Sequence, residues 1–269
     1  MEYLATGQFF GETDRAFFLD GLTLTDTGYT VARVDWHYHE NPYFTFITAG
    51  GILEGGKRGV HRCPAGTLLF HNWQEPHYNL DPEAGTRGFQ LETTAGWFAR
   101  FDLDLPAFPA YAKIADPALK LLFHRIYGET RPFGNESPLA IEGLLLEALD
   151  ELVGLKKNAE TKKPRWVGRL DERLRADLTE RFVLRELARE LDLHPVYLCR
   201  TFPKFFGCGF GEYVRKLKVE RSLVLLRNRE LSLTEVAFAS GFADQSHFIR
   251  CFKSLMKTGP KNYRDAILK

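Results

Sequence analysis

Hydrophobic and polar positions change period along the chain. Residues 1 to about 105 hold short runs broken by Gly, Pro and Asn: "YTVARVDWHYH", "YFTFITAGG", "GTLLFHNW" and "RGFQLETT". Alternation over Tyr43–Thr48 and Thr30–Trp36 predicts strands with one face inward. Many short strands at close spacing predict a barrel or sandwich. Over 117–131 and 138–155 the apolar spacing becomes helical, and Leu144, Leu145, Leu149, Leu152 and Val153 make a broad stripe in the second of these segments. Two long helices beside a barrel either close its open side or pair with another copy of the chain. The stretch "KKNAETKKP" at 156–164 is polar and ends on Pro164, which reads as a linker. The expected class is therefore α+β in two domains: a β-barrel with flanking helices at 1–155, the linker at 156–164, and an all-α domain at 165–269.

The all-α part repeats itself. "LCRTF" at 198–202 and "FIRCF" at 248–252 stand 50 residues apart, and Tyr213 and Tyr263 each follow their Phe by eleven residues. Upstream of each lies a short helical pattern, "VLRELARELD" and "SLTEVAFASG". Each half reads as short helix, tight turn, second helix, which is a helix-turn-helix unit. Ser232 and Glu235 make the Ser-x-x-Glu of a capping box, Gly241 sits where the turn needs positive φ, and Asp244 can cap the helix starting at Gln245. "GEYVRKLKVERSLVLLRN" reads as a longer amphipathic helix between the units.

The second helix of each unit has two unlike faces. Phe248, Cys251, Phe252 and Leu255 form an apolar stripe, leaving Gln245, Ser246, Ile249, Arg250 and Lys253 opposite it with no acid among them. In the first unit Leu198, Phe202 and Phe205 face inward, and Val196, Cys199 and Arg200 face out, with Lys204 toward a phosphate backbone. Gln bonds adenine's edge, Arg guanine's, Ser either, and Ile packs on thymine's methyl. Lys253 and Lys204 suit phosphate. Pro203 removes the amide that would bond the carbonyl of Cys199, so a kink is expected there.

Charge agrees with this division. The net charge is +1, but residues 165–269 carry 21 Lys+Arg against 13 Asp+Glu, while the remainder carries 15 against 22. A basic half, +8 against −7, points to a polyanionic partner for that half. A hydrophobic content of 44% with 26% charged residues is that of a soluble globular chain, and no apolar run reaches the ~18 residues of a membrane span. The N-terminal stretch lacks a basic patch followed by an apolar run, so no secretory signal is expected. Cys63, Cys199, Cys208 and Cys251 have no paired spacing, as for free thiols in a reducing cytoplasm.

With "LARELDLHPVYLCRTF" and "LTEVAFASGFADQSHFIRCFK…GPKNYR" in place, residues 165–264 resemble the AraC/XylS family of bacterial transcription regulators. The resemblance implies seven helices, two helix-turn-helix units joined by one helix, and entry into consecutive major grooves of double-stranded DNA about one turn (~34 Å) apart. It puts base-facing positions at Val196, Cys199, Arg200, Gln245, Ser246, Ile249 and Arg250. It further implies control by a small-molecule effector, contact with RNA polymerase, and a homodimer. Lys257 stands where the family usually has Gly, and Lys218 where it usually has Arg.

The most chemical stretches of the strand-rich half are "WHYHENPYF" at 36–44 and "PAGTLLFHNWQEPH" at 64–77. On a strand, His37 and His39 point the same way. These resemble the cupin double motif, in which His-x-His, a Glu and a distant His bind metal inside a small barrel. Here Tyr43 stands in place of that Glu, and Glu40, directly after His39, leaves the strand on the opposite face. Two alternatives follow: His37, His39 and His77 hold a divalent metal such as Zn²⁺ or Fe²⁺, with Tyr43 beside it, or His37, His39, Tyr43 and His77 line a metal-free effector pocket. His71, Trp73 and Tyr78 fit a barrel rim or a pocket wall. Two other readings of the whole chain remain at this point, a metal-dependent cupin enzyme carrying a DNA-binding domain and an effector-independent DNA-binding protein. No nucleophile-with-base pattern is present, and no catalytic residue is expected.

Overall fold

A computed structural model describes residues 1–57, 59–131, 138–160 and 163–268, without the side chains of 155–160. The described residues fall into two units. The first comprises Met1–Asp116 and Pro138–Val153, and the second belongs to Pro117–Ser137 and Gly154–Lys269.

Strands of the first unit are β1 (Glu2–Leu4), β2 (Glu12–Leu19), β3 (Leu22–Gly28), β4 (Arg33–His39), β5 (Tyr43–Ala49) and β6 (Gly51–Gly56). They continue as β7 (Gly59–Pro64), β8 (Leu68–His71), β9 (His77–Leu80), β10 (Arg87–Thr93) and β11 (Tyr111–Ile114). One sheet runs β1-β4-β9-β6-β7 and the other β11-β8-β5-β10-β3-β2. The expected barrel is thus two sheets, and among the described residues no ladder closes one onto the other. The chain changes sheets between β5 and β6 at Gly50, whose φ of +64° a residue with a Cβ tolerates poorly.

β5 was expected to bury one face, yet Tyr43 through Thr48 are all buried. The cause is cover on both sides of the six-stranded sheet. One face carries Leu24, Phe44, Phe46, Phe70, Phe89 and Leu91. The Phe70 ring lies 6.2 Å from that of Phe108, and Phe108 meets Phe98 of helix α1 (Ala95–Arg100) edge-on at 5.6 Å. The opposite face carries Tyr43, Thr45, Ile47, Leu69 and His71 toward the five-stranded sheet, where Ile47 and Leu69 meet Ile52 and Cys63 in a small apolar cluster. Polar side chains share that face: Thr25 and Gln90 hydrogen-bond each other, and Asn41 donates to Glu92.

The helices after α1 are α2 (Pro117–Glu129), α3 (Pro138–Glu160), α4 (Arg165–Ala176), α5 (Leu184–Glu190), α6 (Pro195–Phe206), α7 (Phe210–Leu225), α8 (Leu233–Ala239), α9 (Gln245–Met256) and α10 (Pro260–Ile267). α3 continues through 156–160 of the expected linker, a stretch of good helix formers such as Lys, Ala and Glu. Residues 161–162 lie outside the described ones. α2, which a boundary at 155 assigns to the strand-rich domain, packs in the second unit. Its Lys120 pairs with Glu220 of α7 at 2.7 Å, and its His124 Nδ1 hydrogen-bonds the Tyr263 hydroxyl of α10 at 2.6 Å. α4 to α10 supply the seven helices that the resemblance implies. Their first core joins Leu170 and Leu174 of α4, Leu187 and Ala188 of α5, Leu198 and Phe202 of α6, and Tyr213 and Leu217 of α7. Among the described residues no helix is long and apolar enough to cross a membrane.

Burial lowers the His124 imidazole to about 3, helped by the positive charges of Arg227 and Lys120. Its folded value lies below the ordinary ~6.5, so below that pH the unfolded chain binds a proton that the folded chain refuses. The stabilisation is complete above pH ~6.5 and is lost as pH falls toward the folded value. Urea unfolding of the second unit between pH 7.5 and 5 should show wild type losing up to about 1.4 kcal/mol per pH unit more than His124→Asn. Parallel pH slopes would contradict the neutral, buried state of this imidazole.

Candidate nucleic-acid interface and histidine pocket

Local chemistry builds both helix-turn-helix units alike. In the turn between α5 and α6, Asp192 has φ +56°, and between α8 and α9 Gly241 has φ +86°. The amides that follow turn back: Leu193 N–H donates to the Ala188 carbonyl at 2.8 Å, and Phe242 N–H to the Ala237 carbonyl at 2.9 Å. Both second helices begin on a side-chain cap. The His194 Nδ1 accepts from the Val196 amide at 3.3 Å, and Asp244 accepts from the His247 amide at 2.7 Å. Ser232 and Glu235 form a reciprocal capping box at the start of α8. Both second helices end on a left-handed residue, Gly207 at φ +71° and Lys257 at φ +58°.

These ends fix what each helix shows. Leu198 and Phe202 of α6, and Phe248 and Phe252 of α9, are completely buried. Val196, Cys199, Arg200 and Lys204 are exposed on α6, as are Ser246, Arg250 and Lys253 on α9, while Gln245 and Ile249 are half-buried. Pro203 does not interrupt α6, which runs continuously from 195 to 206 with Pro203 on its exposed side. The Phe202 and Phe206 rings stack 4.1 Å apart on the buried side of this segment.

Three contributors lie outside the residues expected from sequence. The Thr234 hydroxyl of α8 donates to Gln245 Oε1 at 3.0 Å, steering the amide at the start of the outer face of α9. Arg215 of α7 joins His247 and Arg250 around a recess of about 370 Å³. Tyr197 is exposed on α6. Thr234 and Arg215 are far from Gln245 and Arg250 in sequence, so their help was invisible to helical spacing. α7 also ties the second turn in place: the Lys218 ammonium donates to the Gly241 carbonyl, and it lies 5.9 Å from the Phe242 ring centre.

In the first unit, strand register creates a second constellation. His37 of β4 pairs with His77 of β9, and Tyr43 of β5 pairs with His71 of β8. The two pairs face each other between the sheets and are joined by a hydrogen bond of 2.9 Å between the Tyr43 hydroxyl and His77 Nε2. His39, two residues after His37, completes a group in which ligand nitrogens of His37, His39 and His77 lie within 4.8 Å of one another, all three buried. His71 is also buried, 3.4 Å from a Glu54 carboxylate oxygen. Trp73 is exposed, and Glu40 is turned away, bound by the amide and hydroxyl of Thr6.

Burial keeps the His37, His39 and His77 imidazoles uncharged. It lowers His37 and His77, and pushes His39 down to about 2. Burial likewise raises the Tyr43 hydroxyl, which stays protonated. Neutral imidazoles are the form that binds metal. The cavity against His71 and His77 has a volume of about 20 Å³. That holds a water or an ion but lies far below the ~300 Å³ of a small organic-ligand site.

Residues 187–266 match a helix-turn-helix domain family. A 95-residue stretch is 35% identical to the uncharacterized HTH-type transcriptional regulator YijO of Escherichia coli, covering 35% of this chain and 32% of that protein. A 140-residue stretch is 29% identical to the HTH-type transcriptional regulator GbdR of Pseudomonas aeruginosa, covering 50% and 38%. The chain thus spans about a third of the length of these relatives. The solved structure of ToxT from Vibrio cholerae superposes over 92% of this chain and 98% of its own, with 14% identity and a TM-score of 0.38, too low to establish a common fold.

The two left-handed positions of the second helix-turn-helix unit, Gly241 and Lys257, should respond oppositely to substitution. A Cβ at Gly241 would lie 1.8 Å from the Leu178 carbonyl oxygen, so Gly241→Ala should destabilise this unit by about 1–3 kcal/mol or more. Lys257→Gly removes the left-handed penalty of a side chain and should stabilise it by about 0.5–1 kcal/mol. Thermal melts of both variants check the pair.

Proposed function

We propose that this chain, whose C-terminal half carries an AraC-type helix-turn-helix domain, is a sequence-specific DNA-binding transcription regulator controlled by a small ligand received in its strand-rich unit. The observation that carries the reading is the pair of capped helices, α6 and α9, each buried through an apolar stripe and each presenting an exposed Arg on its outer face. Gln245, Ser246, Ile249 and Arg250 read base edges in one major groove. Val196, Cys199 and Arg200 meet a second groove, where the two apolar side chains favour methyl contacts over hydrogen bonds. Lys204 and Lys253 grip phosphate and set register. Among the described residues neither Arg200 nor Arg250 is committed to an ion pair, which leaves both guanidinium groups for DNA. The HTH-type transcriptional regulators among its relatives support a role in transcription; RNA polymerase and a second copy of the chain are the partners this reading adds.

Affinity for an operator fragment should fall steeply and linearly on a log–log plot as salt rises, because each neutralised phosphate releases counterions. Arg250→Ala should relax preference at one base pair, costing about 1–3 kcal/mol on the preferred sequence. Lys253→Ala should weaken all sequences alike and flatten the salt slope by about one unit. Binding of the variants to a panel of single-base operator changes separates the two roles, and identical profiles would refute the assignment.

A further inference from the structure

We propose that the second unit holds a binding site of its own, for a free α-amino acid with a large apolar side chain. It is a cavity of about 480 Å³ between α2, the end of α9 and α10, and every residue lining it belongs to that unit. The size falls within the ~300–1,000 Å³ of small organic-ligand sites, whereas the cavity of about 20 Å³ at His71 and His77 does not. The site stands on geometry and charge; only its effect on DNA rests on the regulator reading above.

Space points to it first. Gly128 of α2 lines the cavity, and a Cβ built there would meet no atom within 4 Å. A glycine weakens a helix relative to alanine, and neither a positive φ nor a close contact calls for one at this position. Its missing side chain keeps one wall of the cavity open. The floor is apolar, made of Met256, Ala266 and the Tyr263 ring, all buried. The hydrogen bond of 2.6 Å between the Tyr263 hydroxyl and His124 Nδ1 sets that floor before a ligand arrives. Met256 is flexible and polarizable, which suits it to an aromatic ring.

Charge selects the occupant. Arg125 and Glu129 stand one helical turn apart on α2, both half-buried and both lining the cavity. That spacing suits an ion pair. Among the described residues neither takes part in one, while Lys120 of the same helix pairs with Glu220 of α7. Asp265 of α10 lines the cavity and likewise enters no ion pair among the described residues. Lys257 is engaged, since its ammonium donates to the Ser254 carbonyl at 2.9 Å. One guanidinium and two carboxylates thus surround an apolar floor. A simple anion meets two like charges there, and a simple cation meets Arg125. A zwitterion satisfies both signs: its carboxylate takes the fork of the Arg125 guanidinium, its ammonium pairs with Glu129 or Asp265, and its side chain covers Met256 and Ala266.

Position gives occupancy a consequence. Lys257 ends α9 in a left-handed conformation, and Thr258 follows it on the cavity wall. A ligand bridging α2 and α10 beside this cap holds the C-terminal end of the helix whose outer face carries Arg250 and Lys253. It thereby favours one setting of α9, the setting that DNA also selects. Linkage then makes the coupling reciprocal, so the ligand raises DNA affinity and DNA raises ligand affinity by the same factor.

The test titrates the full chain with L-phenylalanine by calorimetry, up to roughly 10 mM, tenfold above the ~1 mM of a weak site. One molecule per chain is expected. 3-Phenylpropanoate keeps only the carboxylate and phenethylamine only the ammonium; each should bind about tenfold more weakly or worse. Arg125→Gln and Glu129→Gln should lose a comparable factor, and Lys261→Gln, on α10 but outside the cavity, should bind like wild type. Gly128→Leu fills the cavity with a good helix former, so it should melt no lower than wild type and yet bind no phenylalanine. Absence of saturable binding, equal binding of the single-charge analogues, or undiminished binding by Gly128→Leu would each overturn the site. Saturating phenylalanine should raise operator affinity about fivefold or more, and an unchanged affinity refutes the coupling. If phenylalanine fails to bind while DNA affinity keeps its steep salt dependence, the regulator reading stands and this site alone falls.

Discussion

The burial of one apolar stripe beneath each recognition helix is the constraint on which the rest of the second unit depends. Leu198 with Phe202, and Phe248 with Phe252, are completely removed from water. A helix has only one rotation about its axis that buries such a pair, so burying it decides which residues face out. Turning α9 by a third of a revolution would submerge Arg250 and expose Phe252, at a cost of several kcal/mol in lost apolar burial and desolvated charge. The caps at His194 and Asp244 and the left-handed residues at Gly207 and Lys257 then fix where each helix starts and stops. Rotation and length together turn two ordinary amphipathic helices into surfaces of set composition.

α7 carries this order from one helix-turn-helix unit to the other. Its Tyr213 hydroxyl donates to Asp171 of α4 at 2.7 Å, and Arg175 holds the same carboxylate through Nε. Glu220 on the same helix meets Arg175 at 3.5 Å and Lys120 of α2 at 2.7 Å. Lys218, one turn before Arg221 on this helix, reaches the Gly241 carbonyl of the second turn. These half-buried contacts make α7 a shared strut. Through Lys120 and His124, α2 leans on the same strut and on α10. The histidine pocket has an equivalent logic in strands, where two cross-strand pairs, His37 with His77 and Tyr43 with His71, meet face to face through one hydrogen bond.

Much of the helical half was legible because helical chemistry is local. The capping box at Ser232 and Glu235, the cap at Asp244 and the positive φ at Gly241 depend on residues within four positions of one another. Pro203 leaves α6 unbroken from 195 to 206, with the Phe202 and Phe206 rings stacked on its buried side. Thr234 and Arg215 escaped notice because they reach the recognition helix from other elements. In the strand-rich half, the paired direction of His37 and His39 follows from period two, but period says nothing about the partner strand. His71 was therefore undecided between rim and wall, and β5 was read as half-buried when two layers cover it.

The amino-acid sequence by itself determined the two-part organisation, the duplicated helix-turn-helix units and the outward residues of their second helices, because period, caps and charge are set by neighbours along the chain. Tertiary structure alone decided the split of the strands into two sheets, the register that sets His37 opposite His77 and Tyr43 opposite His71, and the docking of α2 with the second unit rather than the first. Those outcomes turn on pairings between distant segments. A one-residue slip in any ladder would send each side chain to the other face, and local sequence carries no term for that choice.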